Sequence, residues 1–527
     1  MRIPGLVLGA LLAAATASPA NSQTAAPAQP PTLVVLVTID GLPARHLQKF
    51  GPQLTGGIGR MMKGGAWFTN GHQDHGITET APGHASLLSG RFPRSTGIAA
   101  NRIGVSDPAS ALLGGTGAAG ASPHRFQGTA LFDWMKARNS RSRALSVSAK
   151  DRGAILPIGK AKAEVYWYPG DGSFTTSRYY MDTLPRWVSA FNSRRLPQSY
   201  AGRSWTLLLP ESEYKERDDV EAEGHGSNFV FPHVVTGDSV RAANLIRATP
   251  FIDEVTVAFA LEGVNAMGLG KGPAPDLLAI SLSGTDAVHH RLGPDSREAH
   301  DQLLRTDRLV GQLLDSLYRM RDSSRVVVAF TADHGFGTIP ELAAAGENPR
   351  ATRTTLDDAL ASGRAKMSSL GVDSLALDVD QQIVLMDRRA FERPRANPDT
   401  VLNAFIASAR QTPGIKRIDR FAALLSADTL TDPIARRWNH QFSKGTNVEL
   451  VATLEPGSLW TTLLVASHGS PYDYDSHVPI IFYGAAFKPG QHAGFVRTVD
   501  IGPTLARVLN VRPTERLDGV PLANALK

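Results

Sequence analysis

Three apolar runs, far apart in the chain, share one pattern. "LVVLVTIDG" (33–41), "DLLAISLSGTD" (276–286) and "RVVVAFTADHG" (325–335) each place consecutive aliphatic residues before a polar segment that contains Asp. Continuous aliphatic runs are typical of strands buried on both faces of a parallel sheet, since such strands have no solvated face. The pattern predicts a central sheet whose strands end in carboxylates.

Helical patterns alternate with these runs. Residues 297–320 carry Leu and Val at helical spacing directly before the third run, and a further helix is predicted over 499–511. Two more strands are predicted over 462–470 and 477–484. Strands alternating with helices predict an α/β fold: a layered α/β/α core, with a mostly parallel central sheet and inserted cap regions.

The length of 527 residues exceeds that of one ordinary core. We predict a core built from three separate segments, with two inserts between them. The predicted order begins with a signal peptide (1–22) and a linker (23–31). A first core segment (32–152), a cap insert (153–250), a second core segment (251–340), a second insert (341–455) and a third core segment (456–527) follow.

The N-terminus predicts export. "MRIPGLVLGALLAAATASPANSQ" has an early Arg, a short apolar run and a small-residue end, which is typical of a cleaved signal peptide. The run is too short and too rich in Ala to predict a membrane anchor. We therefore expect a periplasmic or secreted bacterial protein. The net charge of +6 is mild and no Lys/Arg run occurs, so a nucleic-acid partner is not expected.

The residue types restrict how a metal could be bound. The chain has no Cys, which excludes disulfides and thiolate ligands, so a metal must be held by His, carboxylate or hydroxyl groups. Such groups collect at the predicted strand ends, where sites of parallel sheets form. The candidates are Asp40, the i, i+4 pair Asp286 and His290, the adjacent Asp333 and His334, and His477 in "YDYDSHVPII".

Each candidate also has an ordinary structural reading. An Asp after a strand is often a turn former or helix cap, and a single His is often a satisfied core residue. Turn chemistry does not require His at all these places, so the joint pattern favours two metal sites, each suited to Zn²⁺. We interpret the neighbouring His289, His300 and His468 as structural or supporting residues.

The stretch "GITETAPGHASLLSG" (76–90) places Thr80 before a predicted helix. Thr80 could be a helix cap, or it could face a phosphate drawn to the helix N-terminus. Thr78 keeps the structural reading, Glu79 has no assigned role, and His84 is read as a structural residue of the helix.

Six ordered motifs resemble one family. They are "VTIDG", "TETAPGHASLLSGRFPRSTGIAAN", "AKDRGAILP", "SLSGTDAVHHRLGPDS", "TADHG" and "YDYDSHVPIIFYG". From about residue 32 to the C-terminus, the chain resembles the alkaline phosphatase superfamily, and within it the PafA/PhoK-type bacterial alkaline phosphatases. Type I phosphodiesterases and nucleotide pyrophosphatases share the same core.

The resemblance implies specific roles. Thr80 matches a metal-bound nucleophile, and Asn101 matches a side chain that contacts a phosphoryl oxygen. Lys150 and Arg152 match a pair that marks the monoesterase branch, although "KDR" alone is equally typical of a solvated turn. The ligands implied for one zinc are Asp286, His290 and His477, and those for the other are Asp40, Thr80, Asp333 and His334. The residue at 289 departs from the family, whose members often have Gly there.

The expected function is hydrolysis of small-molecule phosphate monoesters through a phospho-threonine intermediate, with two Zn²⁺ per chain. An additional Ca²⁺ is a further possibility because acidic stretches such as "YDYD" occur. The main alternative is a phosphodiesterase or nucleotide pyrophosphatase with the same two-zinc core. A sulfatase is disfavoured because its Cys/Ser-x-Pro-x-Arg setting is missing, and a non-catalytic phosphate receptor is disfavoured by the full set of nucleophile and ligands. The physiological substrate and the oligomeric state are not predicted.

Overall fold

The computed structural model describes Met1 and residues 30–114, 119–461 and 463–527. The predicted signal peptide and nearly all of the predicted linker lie outside these residues. Within the described portion of the chain, helices long and apolar enough to cross a membrane are absent.

The strands are numbered here in chain order. They are β1 (Leu33–Ile39), β2 (Ala66–His72), β3 (Ala144–Ser148), β4 (Glu164–Trp167), β5 (Ser204–Trp205), β6 (His233–Val234), β7 (Asp276–Leu282), β8 (Val326–Thr331), β9 (Arg353–Thr354), β10 (Leu377–Asp380), β11 (Ile383–Met386), β12 (Ile415–Arg420), β13 (Val448–Leu454), β14 (Leu459–Trp460), β15 (His477–Gly484), β16 (Gly490–His492) and β17 (Val496–Arg497).

The longer helices connect and cover these strands. They span Ala44–Phe50, Gly57–Gly64, Thr80–Ser89, Leu131–Arg138, Arg186–Ser193, Ser239–Leu245, Phe251–Met267, Gly284–Leu292, Arg297–Met320, Asp357–Ser369, Pro398–Ala409, Pro433–Gln441 and Ile501–Leu509. Shorter helices span Pro93–Thr96, Asp151–Ile155, Pro340–Ala345, Phe421–Leu424 and Asp473–Ser476.

The central sheet is mixed but mostly parallel. Its order is β16-β2-β15-β8-β1-β7-β3-β4, with β17 also paired to β2. β8, β1, β7, β3 and β4 pair in parallel, whereas β15 runs antiparallel to both β8 and β2. The parallel strands place their carboxyl ends at one edge of the sheet, where functional residues of such sheets collect.

The three apolar runs of the sequence form the middle of this sheet. β1 lies between β8 and β7, and its register pairs Thr38 with Thr331 and Ile39 with Leu282. The segments that follow these strands therefore start side by side. Alternate residues of β1 enter separate cores, because successive side chains of a strand point to opposite faces.

Helices cover both faces of the sheet. The helix Arg297–Met320 has the bounds expected from its leucine spacing, and its Leu303, Val310 and Leu314 pack into one core. The helix Thr80–Ser89 packs Ala81, Ala85 and other residues into the core on the opposite face. This arrangement is the layered α/β/α architecture that the alternation of patterns predicts.

The first insert is more closely joined to the core than its predicted bounds imply. β4 lies within the predicted insert 153–250, yet it pairs in parallel with β3 and forms the edge of the central sheet. Tyr166, Phe174 and Val188 pack into the same core as β1. The aromatic residues at the start of this insert therefore fill the core beside the central sheet, since large rings need a thick apolar layer to be buried.

The second insert has a small sheet of its own. β10, β11, β13 and β12 form a four-stranded antiparallel sheet. The helices Asp357–Ser369 and Pro398–Ala409 pack on it around a separate apolar core. A further cluster joins Phe421 and Trp438 of this insert to Ile77 and Ala99 of the central unit.

The strand predicted over 462–470 is wrong. Residues 463–470 form a loop, while 462 lies outside the described residues. The backbone of this loop bonds to several separate elements: Val465 N–H donates to the carbonyl of His290, and the carbonyl of Ser470 accepts from Thr78 Oγ1. A run of apolar residues cannot by itself show whether its backbone pairs with one strand or with several loops.

Candidate active site

Three buried carboxylates meet at the carboxyl edge of the central sheet. Asp40 follows β1, Asp333 follows β8, and Asp286 lies on the helix Gly284–Leu292 that starts after β7. Their exposed fractions are 0%, 0% and 2%. Backbone N–H groups of Gly41 and His334 both donate to Asp333 Oδ1 at 3.1 Å. The pairing of β1 with β7 and β8 thus brings three carboxylates that are far apart in the sequence into one acidic centre.

Two overlapping groups of side chains could hold metal ions. Asp40, Asp333 and His334 form one group, and Asp286, His334 and His468 form the other; within each group the ligand atoms lie within 4.8 Å of one another. His290 Nε2 lies 3.3 Å from Asp286 Oδ1, as the i, i+4 spacing predicts. Of the predicted ligands, Asp40, Asp286, His290, Asp333 and His334 are therefore brought together.

Three histidines around this centre are oriented alike. Nδ1 of His290, His334 and His468 pairs with the carbonyl oxygens of Ala466, Gly335 and Thr78, at 2.9, 2.9 and 2.8 Å. A carbonyl can only accept, so each neutral ring carries its proton on Nδ1 and has a lone pair on Nε2. The three Nε2 atoms lie 3.3 to 3.5 Å from carboxylate oxygens of the centre. This is the ring orientation that metal-binding histidines need.

His477 does not belong to this centre. It is the first residue of β15, opposite His72 of β2, and the two rings stack with centroids 4.8 Å apart. His477 Nε2 pairs with the carbonyl of Thr69 at 2.8 Å. The predicted ligand role of His477 is therefore corrected. β15 begins at the edge of the sheet where the acidic centre lies, but the His477 side chain faces the outer strand β2.

His468 takes the position predicted for His477. Its Nε2 is 3.5 Å from Asp286 Oδ1, and its ring stacks on His334 with centroids 3.5 Å apart. The sequence favours a structural interpretation of His468 because this residue lacks the spacing signal of a helix or strand. The one available signal is the polar "SHGS" that follows an apolar run, next to the other motifs.

Thr80 is the first residue of the helix Thr80–Ser89 and is fully buried. Its Oγ1 makes no hydrogen bond to any described residue. The neighbouring Thr78 Oγ1 donates to the Ser470 carbonyl at 2.8 Å. The two threonines therefore differ as expected, since Thr78 is bonded to structure and Thr80 presents a free hydroxyl at a helix N-terminus. His84 is also structural: its ring contacts the Thr80 carbonyl, Ser281 Oγ and Asp333.

Lys150 stands between two carboxylates of the centre. Its Nζ lies 2.7 Å from Asp40 Oδ2 and 2.5 Å from Asp286 Oδ2. Burial opposes the charge of Lys150, but Asp286 and Asp40 raise its pKa above the usual value. A lysine so close to both carboxylates is a fixed positive charge beside the candidate metal groups.

The electrostatics of the centre favour added positive charge. Burial raises the pKa of Asp40, and the nearby Asp286 and Asp333 raise it further. Burial opposes protonation of His334, yet Asp333, Asp40 and Asp286 raise its pKa to about 9. Hydrogen-bond partners among the described residues are absent for Thr80 Oγ1, Asp286 Oδ1 and His334 Nε2, although all three atoms are buried. A divalent cation would replace the proton on His334 Nε2 and pair with the two unpaired oxygens.

Asn101 and Arg152 lie at the same edge. Asn101 Oδ1 accepts from the N–H of Ala81, next to Thr80, at 2.8 Å. Arg152 lies on the short helix Asp151–Ile155 after β3, and its guanidinium makes a 3.6 Å contact with Asp151. The charge of Arg152 acts to lower the pKa of Lys150, and Asn101 adjoins Thr80 through Ala81, so both residues border the centre; their contact with a substrate stays a prediction.

A family model for "Type I phosphodiesterase / nucleotide pyrophosphatase" matches residues 34–460. The chain belongs to this family. The match includes both inserts and most of the residues that form the acidic centre.

Two bacterial alkaline phosphatases are similar to this chain over nearly its whole length. Alkaline phosphatase PafA of Elizabethkingia meningoseptica is 28% identical over 527 residues, covering 94% of each chain. Alkaline phosphatase PhoV of Synechococcus elongatus is 28% identical over 534 residues, covering 94% of this chain and 93% of PhoV. The crystal structure of PafA matches with a TM-score of 0.88 at 26% identity, covering 95% of this chain and 99% of PafA. These matches confirm the predicted α/β fold class and the resemblance to PafA/PhoK-type alkaline phosphatases.

Proposed function

We propose that this member of the family is an exported, zinc-dependent phosphatase that hydrolyses phosphate monoesters through a phospho-threonine at Thr80. The observation that carries the proposal is the position of Thr80: a buried hydroxyl without a described hydrogen-bond partner, at the N-terminus of a helix whose His84 contacts Asp333 of the candidate metal groups at 3.0 Å. Similarity to named alkaline phosphatases along nearly the whole chain supports it.

Two sets of residues would hold the metal ions. Asp286, His290 and His468 form one set, and Asp40, Thr80, Asp333 and His334 form the other. Imidazole and carboxylate are ligands that suit Zn²⁺, and the first set, with three protein ligands, would leave a fourth position for a substrate oxygen. Bound Zn²⁺ supplies Lewis-acid charge that lowers the pKa of a hydroxyl or water and offsets charge on phosphoryl oxygens.

The chain's own residues then define two transfer steps. Thr80 Oγ1 forms a bond to phosphorus as the ester oxygen departs with its electron pair and takes up a proton. Water next attacks the same phosphorus from the opposite side, and the bond from phosphorus to Thr80 Oγ1 breaks. One proton of this water goes to Thr80 Oγ1, and inorganic phosphate is released. The positive end of the dipole of the helix Thr80–Ser89 and the donors of Asn101 stabilise the negative oxygens in both steps.

Lys150 and Arg152 account for a preference for monoesters. A monoester dianion presents three non-bridging oxygens with more charge than a diester carries, so two cations improve its binding. Arg152 offers a planar fork for two oxygens, while Lys150 acts as a point charge. A PafA variant that replaces one Thr, one Asn, one Lys and one Arg has been solved, and these are the four residue types proposed here to contact the phosphoryl group.

The second candidate is a phosphodiesterase, favoured by the description of the matching family. Hydrolysis of p-nitrophenyl phosphate and bis(p-nitrophenyl) phosphate, each measured as kcat/KM on zinc-loaded protein, separates the two. We expect the monoester to be preferred by at least about a hundredfold, equivalent to about 2.7 kcal/mol. A preference for the diester would replace this proposal with the second candidate.

Export and calcium have less structural support. Cleavage near Ser22 stays a prediction, because residues 2–29 are outside the described portion of the chain. In the acidic stretch that suggests calcium, Asp473 pairs with Arg437 at 2.7 Å and Asp475 Oδ2 accepts from Ser470. These carboxylates already have protein partners, so the additional Ca²⁺ stays a prediction without a site.

A further inference from the structure

Glu79 lies between the two threonines and takes no part in the metal groups. It precedes the helix Thr80–Ser89 with an extended backbone, and its side chain does not cap that helix. Instead, Glu79 Oε2 accepts the backbone N–H of Asn101 at 2.6 Å. A carboxylate that accepts a backbone N–H makes a charge-assisted hydrogen bond, which is stronger than a neutral one.

A second contact joins the same two segments. The N–H of Ala81 donates to Asn101 Oδ1 at 2.8 Å. Glu79 and Ala81 flank Thr80, so each chain neighbour of the proposed nucleophile holds Asn101. One contact fixes the backbone of Asn101 and the other fixes its amide group.

These contacts determine which end of the Asn101 amide is free. The N–H of Ala81 can only donate, so the atom that faces it must be the amide oxygen. Nδ2 then presents two N–H donors and has no acceptor among the described residues. A donor fixed in this way beside Thr80 is suited to a phosphoryl oxygen, because its orientation costs nothing at the moment of reaction.

The surroundings place Glu79 at the substrate end of the site. Burial raises the pKa of Glu79 and the charge of Asp380 adds to the increase, while the Asn101 bond, Arg152 and His334 act against it. Arg102, the residue after Asn101, pairs through Nε with Asp380 of β10 at 2.6 Å. Asp380 thus binds the same turn, Asn101–Ile103, without contacting Asn101 itself, and it provides a matched control.

We propose that Glu79 is a positioning residue that fixes Asn101 against Thr80, so that the Asn101 amide donates to a phosphoryl oxygen during transfer. The role rests on the phosphomonoesterase function proposed above. Under this proposal, Glu79 has a function that is separate from metal binding and from helix capping.

A double-mutant cycle tests this role. The variants are Glu79→Ala, Glu79→Gln, Asn101→Ala and Glu79→Ala/Asn101→Ala, with Asp380→Asn as the control; the readouts are kcat and KM for p-nitrophenyl phosphate. Displacement of a positioned group commonly lowers rates by about 10- to 100-fold, which we expect for Glu79→Ala. Gln keeps an acceptor for the Asn101 N–H, so Glu79→Gln and Asp380→Asn should stay within about threefold of the wild type.

The cycle distinguishes positioning from a general structural effect. If Glu79 acts through Asn101, the double variant should be no slower than Asn101→Ala alone. Zinc content and the thermal midpoint of each variant show whether folding and the metal centre are intact. Independent, multiplying effects of the two substitutions would overturn the proposal, as would wild-type rates in Glu79→Ala or a Gln variant as slow as the Ala variant. Wild-type protein without monoesterase activity would instead refute the underlying function.

Discussion

His468 Nε2 lies 3.5 Å from Oδ1 of Asp286. Asp286 is on a helix that follows a central strand, whereas His468 is in a loop near the C-terminal end of the chain. The loop is held by bonds from its own backbone to His290 and Thr78. One candidate ligand of the metal centre, His468, therefore comes from a loop. The position of this loop depends on its contacts with His290 and Thr78.

The first prediction contrasts His468 with His477. His468→Ala removes a proposed ligand, so zinc content should fall and kcat/KM should drop by at least about a hundredfold. His477→Ala removes a ring that stacks on His72 and bonds to Thr69, so it should retain zinc and lose only about 1 kcal/mol of stability. Metal analysis of both purified variants checks this. Loss of zinc in His477→Ala with retention in His468→Ala would reverse the assignment.

The second prediction concerns substrate charge. Lys150→Ala and Arg152→Ala remove cations that face the additional charge of a monoester. We expect kcat/KM for p-nitrophenyl phosphate to fall by about 100-fold or more, and that for the bis ester by less than about tenfold. Equal losses for both esters would show that these residues do not select for charge. Lys150→Arg and Arg152→Lys keep the charge and should lie between wild type and Ala.

The third prediction concerns removal of metal. Ligands that bind only the folded protein stabilise it, so a chelator should lower both the thermal midpoint and the hydrolysis rate. Added Zn²⁺ should restore both, since the ligand atoms are held by the sheet and by carbonyl contacts. Differential scanning calorimetry and p-nitrophenol release measure the two effects. Full activity after exhaustive chelation would exclude a catalytic metal.

The fourth prediction concerns pH and the attachment of the second insert. Asp74 is buried, and Arg436 Nε pairs with it at 3.0 Å. Burial opposes ionisation of Asp74, but His440, Arg436 and Arg437 lower its pKa to about 2. A carboxyl with a lowered folded-state pKa stabilises the protein above its unfolded pKa of about 3.9, and this contribution is lost as pH falls toward about 2.

Asp74→Asn should therefore cost about 3 kcal/mol at neutral pH and about half as much near pH 3. Urea unfolding of chelated wild type and variant at pH 7, 4 and 3 gives the difference without a contribution from metal binding. A difference that is constant over this range would show that the charge of Asp74 does not anchor the insert.

Much of the fold follows from local patterns, because buried parallel strands and an amphipathic helix each leave a periodic signal. β1, β7, β8 and the helix Arg297–Met320 are such elements, and the carboxylates after the strands follow from them. The sequence pattern assigns β4 to an insert because its aromatic residues give no signal for pairing with β3. Edge pairing depends on the tertiary arrangement, which one segment does not contain.

The site divides in a similar way. Asp286 and His290 are related by helical spacing, so their approach could be predicted from sequence. His468 and the contact from Glu79 to Asn101 depend on how loops fold back on the sheet, and no periodicity encodes this. His477 shows the opposite failure, since it lies at the correct edge but its side chain faces another strand.

Thr80→Ala tests the central claim most directly, because it removes only the hydroxyl that is proposed to accept the phosphoryl group. Zinc content and kcat/KM for p-nitrophenyl phosphate should be measured on wild type, Thr80→Ala and Thr80→Ser in parallel. We predict a loss of at least about a thousandfold for the Ala variant with zinc still bound, and activity within about tenfold of wild type for the Ser variant. Full activity of zinc-loaded Thr80→Ala would contradict the account.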